Sequence, residues 1–281
     1  MKHSAFACLL LMLLLLERTQ GADINTDLPQ LNGEVVTLST PAGVRFGIWG
    51  TKVRYPAPTL FVFSSTIEES LGNPYYRQCG NALAELGFLC VSLDLPGHGL
   101  EQLDDEPKGI AAWRFRSDQG EDFVAPFTTK FKKALNHLIE AGYTDTDRIA
   151  ACGTSRGGYM ALQATVADSR IRATAAFAPV TNLAKLREFH GATNQDQIKA
   201  LSLYSKAEQL MGRSLWLIIG DRDQRVGTDD TIVFARRVTT LSLTQSKLAD
   251  VTLIVQPESK GHTTPAGSPA LAAKWISEKL E

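Results

Sequence analysis

Short apolar runs recur along the chain at Leu60–Phe63, Phe88–Leu93, Arg148–Ala151, Ala173–Phe177, Leu215–Ile219 and Val251–Val255. Each is rich in β-formers and bounded by turn residues, the pattern of strands buried on both faces. Segments with helical spacing lie between most of them: Tyr75–Leu86, Phe127–Ile139, Tyr159–Val166, Thr231–Val238 and Ala270–Leu280. Strand and helix alternating in this way predict an α/β fold, a mostly parallel sheet with helices on both sides. Upstream, Glu34–Ser39 and Val44–Trp49 flank the turn signal Thr40-Pro41-Ala42-Gly43 and predict an antiparallel hairpin. Together these runs make one domain of about eight strands. The segment Val180–Gln209 breaks the rhythm and is expected to form a small cap. In an open parallel sheet, functional groups gather at the carboxyl ends of the strands, which is where chemistry should be sought.

The sharpest motif stands at such a place. Gly153-Thr154-Ser155-Arg156-Gly157 directly follows Arg148–Ala151 and directly precedes the helical segment Tyr159–Val166. A serine on so tight a strand-to-helix turn has its hydroxyl lifted clear of the sheet. Glycines two positions to either side let neighbouring backbone approach without a Cβ clash. The Arg156 N–H then lies at a helix N-terminus, where it can donate to an oxyanion with the helix dipole behind it.

A serine needs a base to act as a nucleophile. His137 lies within a helical pattern, His190 within the expected cap, and His98 in the turn-rich loop Asp94–Gly99. These positions suit a helix face, a solvated side chain and a structural role. His262 follows the last strand and precedes the final helix, the position of a base. The base in turn needs an acid. Gly220-Asp221-Arg222-Asp223 closes the strand Leu215–Ile219, and Asp223 is preferred because Asp221 lies close enough to the strand end to serve the turn. Asp229 and Asp230 suit the first turn of the following helix. The chain order Ser155, Asp223, His262 is the one found in α/β-hydrolases. A second oxyanion donor is expected after Leu60–Phe63, from the backbone N–H of Ser65, with Thr66 as the neighbouring choice. Trp113 and Arg114, placed in the loop after the fourth strand, are expected with Thr66 and residues of 180–209 at the pocket rim.

With these residues in hand, the sequence resembles the α/β-hydrolase superfamily from about Glu34 onward. Gly153-Thr154-Ser155-Arg156-Gly157-Gly158-Tyr159-Met160-Ala161 is similar to the nucleophile region of prolyl oligopeptidase-type catalytic domains. Ala178–Leu183, Gly220–Val226 and Gly261-His262 fall where that family carries comparable stretches. The resemblance implies an acid three residues after the glycine closing its strand, which matches Asp223. The family's β-propeller and its His-Gly oxyanion loop have no counterpart in this sequence. A domain of this size therefore looks more like an esterase, or a dienelactone hydrolase-like protein with serine in place of cysteine.

Composition narrows the classes. A formal net charge of −1 offers no basic field for nucleic acid. Lys2 and His3, the apolar run Ala5–Leu16 and then Gly21-Ala22 have the order of a secretory signal peptide cleaved near Gly21 or Ala22. The expected layout is a signal peptide over 1–21 and a hydrolase domain over 22–281, secreted or periplasmic, with no stable membrane insertion afterwards. Cys79, Cys90 and Cys152 would remain, an odd number without ligand spacing, so neither a disulfide framework nor a metal site is expected. No cofactor is required. The expected substrate is a small ester or a short peptide, handled by a serine esterase, a small serine peptidase or, as a non-catalytic alternative, a binding protein on the same fold.

Overall fold

Residues 28–281 are described by the computed structural model. The reading of 1–21 as a signal peptide lies outside these residues. The strands are β1 (Val36–Ser39), β2 (Arg45–Trp49), β3 (Ala57–Phe63), β4 (Leu89–Ser92), β5 (Thr144–Thr154), β6 (Ile171–Phe177), β7 (Ser214–Gly220) and β8 (Val251–Gln256). They form one 8-stranded sheet in the order β1-β2-β4-β3-β5-β6-β7-β8. The β1–β2 hairpin and the β2–β4 pairing are antiparallel, and every other pairing is parallel. This is the α/β-hydrolase fold.

The helices are α1 (Ile67–Gly72), α2 (Pro74–Arg77), α3 (Gly80–Ala84), α4 (Ile110–Asp118), α5 (Val124–Glu140), α6 (Arg156–Ala167), α7 (Gln195–Leu201), α8 (Leu203–Lys206), α9 (Thr228–Thr244) and α10 (Ser268–Leu280). Side chains alternate across each strand, so β3 sends Phe61 and Phe63 to one face and Leu60 and Val62 to the other. The first face packs on residues of α5, α6 and α9, including Phe131, Met160 and Phe234. The second packs on α1, α3 and α10 through Ile67, Leu83 and Ile276. Two buried layers require strands that are apolar on both sides, which is the pattern the sequence displays.

The predicted helix Tyr75–Leu86 is broken into α2 and α3. The break falls at Gln78, whose φ of 52° cannot continue a helix. The stretch holding Trp113 is the helix α4 and not a loop. The segment 180–209 folds into 3₁₀ turns with the short α7 and α8, tied to the main body where Leu201 O accepts from Tyr159 Oη (2.8 Å) and Gln163 Nε2 (3.1 Å). Asp94 knits the loop after β4 to its surroundings: its carboxylate accepts from Ile67 N (2.8 Å) and Leu100 N (3.1 Å) and pairs with Arg45 at 3.0 Å.

Candidate active site

In-register pairing sets the carboxyl ends of β3, β5 and β6 side by side: Phe63 stands opposite Gly153, and Thr154 opposite Phe177. Gly220 and Gln256 end β7 and β8 at one level. The loops leaving these strands therefore converge on one edge of the sheet.

Ser155 lies between β5 and α6 with a φ of 56°, a region that a residue with a Cβ adopts only under strain. The turn closes only because its flanking residues lack side chains. A Cβ on Gly157 would lie 1.8 Å from Phe63 O, and one on Gly153 would lie 2.3 Å from the Gly157 carbonyl carbon. Ser155 Oγ is 3.0 Å from His262 Nε2, and His262 Nδ1 is 2.7 Å from Asp223 Oδ2. The carboxylate of Asp223 is fully buried, and its other oxygen accepts from the N–H groups of Arg225 (3.0 Å) and Val226 (3.1 Å). With the acid fixed on one side, Nδ1 carries the proton, and Nε2 is left as the acceptor facing the serine.

Asp221 accepts from Glu258 N at 2.8 Å, and so ties the loop after β7 to the loop after β8. Asp229 and Asp230 lie in the first turn of α9. His98 is held by Nδ1 donating to Pro96 O (2.9 Å); burial, with the Arg156 charge adding to it, pushes its pKa down to about 4. His137 packs beside Phe46 and Tyr143 on α5, and His190 is exposed.

The Arg156 N–H is the first of α6 and has no intrahelical acceptor. In the loop after β3, Ser64 N donates to Ser70 Oγ at 3.1 Å, while the Ser65 N–H has no protein acceptor among the described residues. Ser65 itself is buried.

A cavity of about 510 Å³ opens beside Ser155 and His262. Its wall corrects the expected rim. Trp113 is fully buried: its indole N–H donates to Pro96 O at 2.6 Å and its ring stacks on Phe123 at 4.9 Å. The first turn of α4, through Ile110 and Ala111, faces the cavity in its place. Arg114 pairs with Asp118 (2.9 Å) and donates to Gly191 O (3.1 Å), which ties α4 to the segment 180–209, and it is not part of the cavity wall. Thr66 caps α1, its Oγ1 accepting from Glu69 N, and does not reach the wall. Arg187 and Glu188 are the residues that 180–209 brings to the wall, where such residues were expected, whereas Tyr75, Tyr76, Lys108 and Arg225 line it unforeseen. Their only sequence signal was proximity to strand-end loops.

A model of the prolyl oligopeptidase family matches residues 127–280, more than half of the chain. The chain belongs to the prolyl oligopeptidase family. No curated protein matches this family member significantly. Among solved structures, dipeptidyl peptidase 4 of Porphyromonas gingivalis superposes with a TM-score of 0.65 at 18% identity, over 88% of this chain and 35% of the other. The chain thus spans about a third of the length of the dipeptidyl peptidases it matches. A cold-adapted esterase from an Arctic intertidal metagenomic library (TM-score 0.61, 18% identity) covers 88% of this chain and 93% of its own. An S-formylglutathione hydrolase from Agrobacterium tumefaciens (0.58, 17%) covers 88% and 95%. At such identities the likeness concerns the fold.

Proposed function

We propose that this family member is a secreted carboxylic ester hydrolase in which Ser155 is the nucleophile, His262 its general base and Asp223 the acid that orients the base. The observation that carries the reading is the hydrogen-bonded series from Ser155 Oγ through His262 to the buried Asp223 carboxylate, at 3.0 and 2.7 Å. Ser155 Oγ attacks the ester carbonyl as its proton passes to His262 Nε2, and the imidazolium is stabilised by Asp223. The tetrahedral oxyanion accepts from the N–H groups of Arg156 and Ser65. His262 then protonates the leaving alcohol, and water repeats the sequence on the acyl-enzyme. Secretion rests on the N-terminal charge and apolar order alone.

Peptide hydrolysis is the second reading, favoured by the family match over 127–280. Labelling of the full-length protein with a fluorophosphonate, with the adduct mapped by mass spectrometry, tests the nucleophile without assuming a substrate. The expected result is modification at Ser155 that disappears in His262→Ala. A folded protein that is not modified sinks the hydrolase reading and leaves a binding protein on this fold. Panels of para-nitrophenyl esters and peptide anilides then separate esterase from peptidase, and secretion is checked by the N-terminus of the exported protein.

A further inference from the structure

The cavity beside Ser155 is lined by the cationic side chains of Lys108, Arg156, Arg187 and Arg225 against the single carboxylate of Glu188. Glu188 is engaged through Oε1 alone, and its Oε2 is buried without a partner among the described residues. Its Oε1 receives Arg225 Nη2 at 2.8 Å and stands 3.5 Å from Arg187 Nε. Arg225 Nη1 is buried and has no partner among the described residues. The Arg156 guanidinium is held through Nε alone, which donates to Ser64 O at 2.7 Å, and neither of its Nη groups has a protein partner among the described residues. Burial lowers its pKa and the charge of Arg225 adds to this, while Tyr76, Glu69 and Glu188 oppose it from a distance without forming an ion pair with it. Lys108 is exposed and likewise forms no ion pair within the described residues. The apolar part of this wall is limited to Ile110, Ala111 and the rings of Tyr75 and Tyr76.

Buried or half-buried guanidinium groups are ordinarily matched by a carboxylate or phosphate, for which their planar donor fork is shaped. Here Arg156, the residue after Ser155, has no such match on the protein side, and Arg225, paired with Glu188 through Nη2, keeps its buried Nη1 unmatched. We infer that the substrate supplies it: the ester hydrolysed at Ser155 carries a carboxylate within a few bonds of the scissile carbonyl, bound by Arg156 and Arg225. This inference rests on the ester hydrolase reading and deepens it. The anion belongs either to the acyl half or to the alcohol half, and the shared chemistry is a carboxylate ester with a second, free carboxylate.

Two matched pairs of esters separate those sources. Para-nitrophenyl butyrate and the mono-para-nitrophenyl ester of glutaric acid differ by an anion on the acyl side. The methyl ester of para-acetoxybenzoic acid and para-acetoxybenzoate differ by one on the alcohol side. In one pair, kcat/KM of the full-length protein is expected to favour the anionic member by about tenfold or more. The preference is expected to collapse in Arg156→Gln and in Arg225→Gln, to survive in Arg156→Lys, and to shrink in high salt. Because it is a ratio taken within one variant, any loss common to both esters cancels. An active enzyme that treats both members of each pair alike overturns the inference while leaving the hydrolase reading intact. So does a preference that survives both glutamine substitutions, or a protein that labels at Ser155 yet turns over neither pair. Absence of both labelling and turnover removes the parent reading, and this one with it.

Discussion

Gln78 holds a φ of 52°, and its amide donates to Thr154 Oγ1 at 2.7 Å and to Thr264 Oγ1 at 2.9 Å. Thr154 precedes Ser155 and Thr264 lies two residues after His262, so one buried side chain links the end of β5 to the loop after β8. Gln78→Gly accepts the backbone conformation and removes only the bridge. It is expected to lower kcat about tenfold or more with a smaller change in KM, since small displacements of reacting groups are costly. Lost stability with kcat unchanged, in paired kinetics and urea unfolding, would make the residue merely structural. Asp223→Asn should cost far more. It keeps an acceptor for the Arg225 and Val226 amides but presents an N–H₂ to His262 Nδ1, favouring the tautomer that cannot receive the serine proton. A drop of about 10⁴ in kcat is expected, with stability little altered; a drop below tenfold would remove Asp223 from the chemistry. Ser155, Asp223 and His262 were legible as neighbours because motif, strand-end position and chain order bear on each. Gln78, Glu188 and Arg225 were not, because their partners come from distant segments and no local pattern encodes the convergence. Trp113 misled for a related reason: an aromatic in a polar stretch reads as exposed until the helix turning it onto Phe123 and Tyr159 is known.

The turn from β5 into α6 depends on how close α6 comes to β3. A Cβ at position 157 would collide with the backbone of Phe63 and Ser64, atoms fixed in the centre of the sheet. One at position 158 would meet Gly153 O at 3.0 Å and Pro179 Cβ at 3.1 Å, contacts that a shift of a few tenths of an ångström relieves. Gly157→Ala is therefore expected to destabilise by about 3 kcal/mol and to abolish Ser155 labelling, and Gly158→Ala to cost about 1 kcal/mol and leave labelling measurable. Denaturant unfolding and labelling rates on both variants check the order, and equal effects would contradict the close approach. The buried strands were readable at this scale because an element covered on both faces has no polar alternation to blur it. Helices were readable where their apolar face is continuous, as in α5 and α9. They were lost where a single backbone conformation interrupts them, as at Gln78. The turns of 180–209 carry no period at all, which left their path unreadable though their place in the order was plain.

At the scale of the molecule, both layers of the core report on cooperative unfolding, and two buried features give that unfolding a handle. Cys79, Cys90 and Cys152 are free and buried together on the face covered by α3 and α10, where burial pushes the Cys90 and Cys152 thiols up. They should resist alkylation in the native protein and react only as fast as it unfolds; rapid native modification would show local opening of α3. His98 links the same transition to pH. It sits between the loop after β4 and Gly109 at the start of α4, with Nε2 buried and unpartnered among the described residues. Burial first, then the Arg156 charge, lowers its pKa to about 4, with Asp94 and the backbone acceptors opposing. A depressed histidine stays neutral when folded, while the unfolded chain takes up a proton below about pH 6.5. Its contribution is thus complete above pH 6.5 and is lost as the pH falls towards 4, by at most about 3 kcal/mol. His98→Asn keeps a donor for Pro96 O and removes the titrating ring. Urea unfolding at neutral pH and at points down to the folded pKa should show a steeper acid decline in the unsubstituted protein than in this variant, by up to about 1.4 kcal/mol per pH unit within that window. Parallel declines would mean that His98 is hydrated in the folded protein, and that the acid sensitivity lies in the carboxylate ion pairs.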